Sequence, residues 1–254
     1  MNTLDVQPVL CSGVLVMVRL SSLLVFAPIF SSSAIPPRIK AGFVFAMTFV
    51  LAPVAAGSTA AVHEITVSAV VGELAVGLVF GLSLMLLSEM VVFAGSLLSM
   101  NFSFTLANLM DPIYREETAI LGQLMGWVTT LVLLGAGLHR TLLAAVMRSF
   151  QVVPVGTFVM RAEVGAQIAH MGGGIFLAGV QLASPVMAAA LTVEITMALI
   201  GRLAPQLSST VLSVPIKTIA CYLVLIGSLV VWPRFLESHF AALLDSAERM
   251  VLAG

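Results

Sequence analysis

Between Val67 and Leu98 the chain carries only two formal charges, Glu73 and Glu89, and nearly every other position is apolar or small. A run of that length is hard to build in water and easy to build in lipid. Hydrocarbon offers no partner to an unpaired N–H or C=O, so such a run satisfies its own backbone as a helix. Comparable runs cover about Val9 to Phe30, Ala41 to Ala56, Ile120 to Leu138, Gly174 to Ile200 with Pro185 inside, and Val211 to Trp232. A spanning helix needs roughly 20 residues, which makes the Ala41–Ala56 run marginal and the Val67–Leu98 run over-long. The chain is 60% hydrophobic and only 9% charged, against about 25% charged residues in a soluble domain. The expected fold class is therefore an all-α membrane protein with about six long apolar helices.

The connections between these runs carry turn chemistry. Ser31 to Pro37 ends in two prolines, which remove backbone donors and break a helix. Ala204-Pro-Gln206 does the same after the fifth run, and Gly172 to Gly174 is expected to be a flexible lead into it, with a joint near Gly172. Two further segments read as amphipathic helices. In His139 to Phe150 the residues Leu142, Leu143, Val146, Met147 and Phe150 share a side, away from Arg140 and Arg148. In Arg234 to Leu252 the residues Phe235, Leu236, Phe240, Leu243 and Leu244 face one way, with Glu237, Asp245 and Glu248 largely opposite. The first residues contain Asp5 and no Lys or Arg before the first run, so that run is expected to be a retained helix. One compact helical domain is expected over residues 1–254.

Charge placement conflicts with simple crossing. Arg38 and Lys40 assign the first connection to the cytoplasm. Six clean crossings then put Arg140, Arg148 and Arg161 on the outside, against the same rule. Either one segment is a re-entrant hairpin, or the helices are not ordinary bilayer spans.

Five ionisable residues sit within the apolar runs: Arg19, Glu73, Glu89, Glu194 and Lys217. Each costs roughly 2.5–3.5 kcal/mol to place at a bilayer centre, so each should face protein or water. Helix-to-helix pairing is their commonest use. The alternative is a proton or ion path, which needs carboxylates gathered in space near helix breaks. The three glutamates are far apart in sequence, and Arg19 and Lys217 can neutralise two of them, which favours pairing. Gly77 with Gly81, and Gly122 with Gly126, form GxxxG pairs that let helices approach closely.

The stretch from Met100 to Thr118 is apolar for a connection and ends in charge. It reads either as a helix end with a solvated turn, or as a methionine-rich gasket able to seal a pore. Enzyme readings find little support. His63-Glu64 does not continue into a zinc-binding HExxH, the Ser31–Ser33 cluster has no base in view, and no glycine-rich phosphate cradle occurs. Cys11 and Cys221 are isolated, with no ligand spacing. No catalytic, cofactor or metal residue is expected, and net charge −1 provides no field for nucleic acid.

An ordered set of short segments runs along the chain: Arg19, Phe26-Ala-Pro-Ile-Phe30, Ile35-Pro-Pro-Arg-Ile-Lys40, Glu73-Leu-Ala-Val-Gly77, Phe104 to Asp111-Pro112, His139, Phe150-Gln-Val-Val-Pro-Val-Gly156, Ala204-Pro-Gln206 and Val214-Pro-Ile-Lys217. The set resembles the FliR family of export-gate subunits, shared by flagellar and injectisome type III secretion. It departs from the family pattern at Gly137-Leu138, at Asn101-Phe-Ser-Phe104 and at Leu207-Ser-Ser209.

The resemblance implies tilted helical hairpins, with residues 1–170 similar to a FliP subunit and residues 171–254 similar to a FliQ hairpin. It implies a subunit that closes a ring of FliP and FliQ, meets FlhB, and passes unfolded substrates. It places the assembly in the bacterial inner membrane and flagellar basal body, raised towards the periplasm, which would resolve the topology conflict. It tips the Met100–Thr118 stretch towards a pore plug, with Met100, Phe102, Phe104, Leu106, Leu109, Met110, Asp111 and Pro112 as its residues. The five embedded charges become buried contacts between subunits. Spacing around Asp111-Pro112 and Pro154-Val-Gly156 looks closer to the flagellar branch. A proton-coupled carrier built on Glu73, Glu89 and Glu194 stands as the alternative.

Overall fold

Helix follows helix in the computed structural model of the chain, which describes residues 6–27, 36–57, 64–102, 120–159, 162–204 and 209–253. Eight helices occur among the described residues: α1 (Val6–Phe26), α2 (Pro37–Gly57), α3 (Val67–Asn101), α4 (Ile120–Gly135), α5 (Leu138–Val152), α6 (Ala162–Leu203), α7 (Ser209–Ser228) and α8 (Trp232–Ala253). The described residues contain no strand. α1, α3 and α6 are each long and apolar enough to cross a membrane. Two helix pairs, Gly122–Gly135 with Leu138–Val152 and Ser213–Ser228 with Trp232–Leu252, meet the same standard only as bent pairs. Among the described residues this gives three helices long and apolar enough to span, or up to five if each bent pair counts as one.

Local chemistry explains several boundaries. Pro37 opens α2 at the first helical position, where a missing N–H costs nothing and the fixed φ suits a helix. Gly137, at φ 72°, ends the turn between α4 and α5 in a conformation that other residues rarely adopt. The expected break at Gly172–Gly174 is absent, since α6 runs unbroken through all three glycines and through Pro185. Each glycine weakens a helix by about 1 kcal/mol relative to alanine. Opening the helix in an apolar setting would strand several backbone groups at several kcal/mol each, so continuity wins. Pro53 and Pro215 likewise sit inside α2 and α7.

By its contacts the chain divides into two compact units. The first gathers residues 1–87, 137–172 and 238–254; the second gathers 88–136 and 173–237. One boundary falls between Gly172 and Gly173, inside α6, and another between Leu87 and Ser88, inside α3.

In the first unit, α1 and α2 form an antiparallel hairpin in which a Cβ placed on Gly13 would lie 3.5 Å from the Ala52 Cβ. α1 also runs parallel to α3, with Arg19 and Ser22 beside Gly77 and Leu23 and Phe26 beside Gly81. The core here includes Leu15, Val16, Leu20, Val76, Phe80 and Leu84. α5 buries Leu142, Val146 and Phe150 as its spacing suggests, but Met147 is exposed. α8 turns Leu236 and Phe240 inward, though the first of these belongs to the second unit by its contacts.

In the second unit, α3 and α6 are antiparallel. The rings of Phe93 and Phe176 meet edge to face at 5.2 Å, and Gly179 approaches the Met90 carbonyl. α6 and α7 form a second antiparallel hairpin, bridged by Glu194 and Lys217.

Candidate functional site

The most concentrated chemistry lies in the first unit, where α1 and α3 come close enough to touch backbone to side chain. Gly77 makes this possible. A Cβ there would fall 1.8 Å from the Ser22 hydroxyl and 2.3 Å from the Arg19 carbonyl, so only hydrogen fits. One turn before Gly77 on the same helix sits Glu73, and the close approach sets it opposite Arg19.

The pair is enclosed. Arg19 is 1% exposed and Glu73 0%. Arg19 Nε donates to Glu73 Oε2 at 2.5 Å and Nη2 donates to Oε1 at 3.1 Å, a two-pronged pairing. The remaining reach of the guanidinium is also used. Nη1 donates to Ser149 Oγ at 3.1 Å, Nη2 donates to the Val153 carbonyl at 3.3 Å, and the Phe150 ring lies 4.3 Å beneath the guanidinium carbon. Arginine suits this place because its planar fork presents several donors at once and stacks on an aromatic face.

The turn after α5 completes the cradle. Gly156 stands at φ 82°, in the left-handed region, and from there its N–H donates to Glu73 Oε1 at 2.7 Å. The turn is closed locally by Thr157, whose N–H and hydroxyl both donate to the Pro154 carbonyl, at 3.2 and 2.7 Å. Gly72 lets this segment settle on α3, because a Cβ there would lie 2.5 Å from the Phe158 carbonyl. Three chain segments far apart in sequence are thereby tied through one carboxylate and one guanidinium.

This arrangement can clamp but is poorly suited to carry protons. Both Glu73 oxygens are engaged by donors, and its nearest helical companion, Glu89, lies sixteen positions on, about 24 Å along α3. Among the described residues no group of three or more His, Cys, Asp or Glu could hold a metal ion. His139, at the start of α5, has a buried Nδ1 with no hydrogen-bond partner among the described residues.

The other embedded charges behave differently. Lys217 Nζ donates to Glu194 Oε1 at 2.5 Å across the α6–α7 hairpin, with Glu194 55% exposed. Glu89 is exposed on α3. Arg19 and Glu73 are buried by this chain's own helices and turn and hold the chain together, whereas Glu89 and Glu194 are exposed within the chain.

The small-residue pairs also split. Gly77 and Gly81 are packed against α1, whereas a Cβ on Gly126 would meet nothing within 4 Å among the described residues. Gly122 is buried. At the start of the Met100–Thr118 stretch, Met100 is 65% exposed, while Phe102 is buried with its ring 4.6 Å from that of Tyr222 on α7. Phe102 thus packs within the second unit. Phe104, Leu106, Leu109, Met110, Asp111 and Pro112 lie outside the described residues.

Reading by residue missed Ser149, Val153 and Gly156 as partners of Arg19 and Glu73. The available signal was Pro154-Val-Gly156, a turn directly after an amphipathic helix, with a glycine where a left-handed residue is needed.

Comparison with known proteins agrees with the extent of the resemblance. The family model described as Bacterial export proteins, family 1, matches residues 10–243. A flagellar biosynthetic protein FliR from Pectobacterium carotovorum is 26% identical over 230 residues, covering 90% of this chain and 88% of the relative. The protein of the same name from Escherichia coli K12 is 26% identical, over 79% of this chain and 77% of its own length. That from Bacillus subtilis is also 26% identical, over 84% and 83%.

Proposed function

The chain belongs to family 1 of the bacterial export proteins, and we propose that it is a non-catalytic subunit of a flagellar type III protein-export gate. It is a membrane-embedded helical protein of an export apparatus. The observation that carries the finer reading is the match across residues 10–243, which spans both units, taken with relatives of similar length that bear the FliR name. The flagellar branch is preferred over the injectisome because those relatives are named for the flagellum.

In this reading one copy closes a ring of FliP and FliQ subunits and meets FlhB. Residues 1–170 play the FliP-like part and residues 171–254 the FliQ-like part. Exposed Glu89 and the half-exposed Glu194–Lys217 pair supply contacts to neighbours, along with the face of α4 at Gly126. The assembly sits in the inner membrane at the basal body, raised towards the periplasm. The stretch that begins at Met100 and Phe102, and continues through Phe104, Leu106, Leu109, Met110, Asp111 and Pro112, obstructs the closed pore until unfolded substrate arrives. A proton-coupled carrier is disfavoured because both oxygens of Glu73 are engaged by donors.

The test replaces residues 101–110 with glycines in the complete assembled gate. Small-ion conductance in reconstituted membranes should rise while FliP and FliQ still co-purify with the chain. Unchanged conductance in an intact assembly overturns the plug. Failure of FliP and FliQ to co-purify with the wild-type chain overturns the gate assignment itself.

A further inference from the structure

We propose that the α1–α2 hairpin carries a site for one anionic phospholipid, with its acyl chain in the groove between the helices and its headgroup at Arg38. The inference depends only on the membrane location and stands apart from the gate assignment.

The groove has a volume of about 440 Å³ and is lined on α1 by Leu10, Val14 and Met17 and on α2 by Phe45, Phe49 and Ala52. Its rim is strongly apolar and open: Phe45 is 69% exposed and Phe49 79%. Helix periodicity sets what lies above it. Arg38 is seven positions before Phe45, which returns it to within about 20° of the same face. Lys40 falls on nearly the opposite side. Between Arg38 and the groove the same face carries Ala41 and Gly42, both exposed, and a Cβ on Gly42 would meet nothing within 4 Å. A narrow track of small residues thus leads from a cation into an apolar slot.

The dimensions suit a lipid. From Arg38 to Thr48 is ten residues, about 15 Å along the helix, and one leaflet of a roughly 30 Å hydrocarbon core has the same depth. The charge suits one too. Arg38 is exposed and forms no ion pair with any described residue, and it stands in the first turn of α2, where the helix dipole adds positive potential. The anionic headgroup supplies the counter-charge, and the chain supplies apolar surface to cover the two phenylalanines. The Thr48 hydroxyl is buried at the groove without a hydrogen-bond partner among the described residues, so Thr48→Val would release a polar occupant that used it but not an acyl chain.

The test is native mass spectrometry of the full chain in mild detergent, with phosphatidylglycerol and phosphatidylethanolamine of identical acyl chains added in equal amounts. Phosphatidylglycerol should be retained about fivefold over phosphatidylethanolamine, the effect of one basic residue near a lipid surface. Arg38→Gln should bring the two to parity. Gly42→Leu, at a position with free space, should lower retention of both. Thr48→Val should leave retention unchanged. The proposal is overturned if Arg38→Gln keeps the preference, if Gly42→Leu retains both lipids, or if Thr48→Val releases them. It is also overturned if Phe49→Cys crosslinks to a neighbouring polypeptide in the assembled complex and that complex carries no lipid. That last result would assign the groove to a partner helix.

Discussion

Replacing Glu73 with leucine tests the clamp most sharply. The substitution removes two hydrogen bonds from Arg19 and the acceptor of the Gly156 N–H, and leaves a guanidinium at 1% exposure with only Ser149, the Val153 carbonyl and the Phe150 ring. Stranding one member of a buried pair costs about 3–5 kcal/mol. For a chain of this size that corresponds to a fall in melting temperature of about 6–20 °C. The double variant Arg19→Met with Glu73→Leu removes both charges and leaves the Gly156 N–H as the main orphan, at about 1–3 kcal/mol. The double variant should therefore be more stable than the single one, although it carries more changes. Melting of the full chain in one detergent, followed by helical circular dichroism, reads both numbers. If Glu73→Leu melts with the wild type, or if the double variant is no better than the single, the clamp is not what binds the turn at 153–156 to α1 and α3.

Other variants separate fold from assembly. Gly77→Val should destabilise by more than the 1–3 kcal/mol of ordinary overpacking, since its Cβ would overlap Ser22 and the Arg19 backbone, while Gly126→Val should leave the chain's own stability unchanged; paired melts decide. Lys217→Ala should cost the isolated chain no more than about 1 kcal/mol, because its partner is half exposed, yet it should weaken co-purification with ring subunits; equal recovery of partners would remove it from the contact surface. Gly156→Ala should cost about 1–2 kcal/mol through backbone strain at φ 82°, read by faster proteolysis of the segment after α5.

Much of the architecture was legible because apolar runs have a physical length. The runs from Val67 and from Ile120, and the two amphipathic segments from His139 and Arg234, correspond closely to α3, α4, α5 and α8. The triple glycine misled because propensities measured in water weigh Gly172 to Gly174 as breakers, and they lose that force where an open backbone has no water to bond. The clamp was half legible. Arg19 and Glu73 are conspicuous as charges in grease, but nothing in sequence spacing tells whether such a charge turns towards its own chain or another. That choice depends on Gly77 and Gly156, two residues whose contribution is what they lack. The border at Leu87 was out of reach, since contacts and not composition draw it, while the one at Gly172 falls where the triple glycine suggested a joint.

The unbroken course of α6 has a consequence for where this protein can be at ease. Its 42 residues extend about 63 Å, roughly twice the height of the oily layer it would cross, and even a 40° lean accommodates only about 40 Å of it. Its exposed large apolar residues, among them Phe176, Leu177, Leu191, Ile195, Leu199 and Leu203, fall within residues 176–203, about 42 Å of helix. The leading turns expose Gln167 and His170 instead. A strongly leaning crossing suits the greasy part, and the other end is furnished to stand clear of the oil.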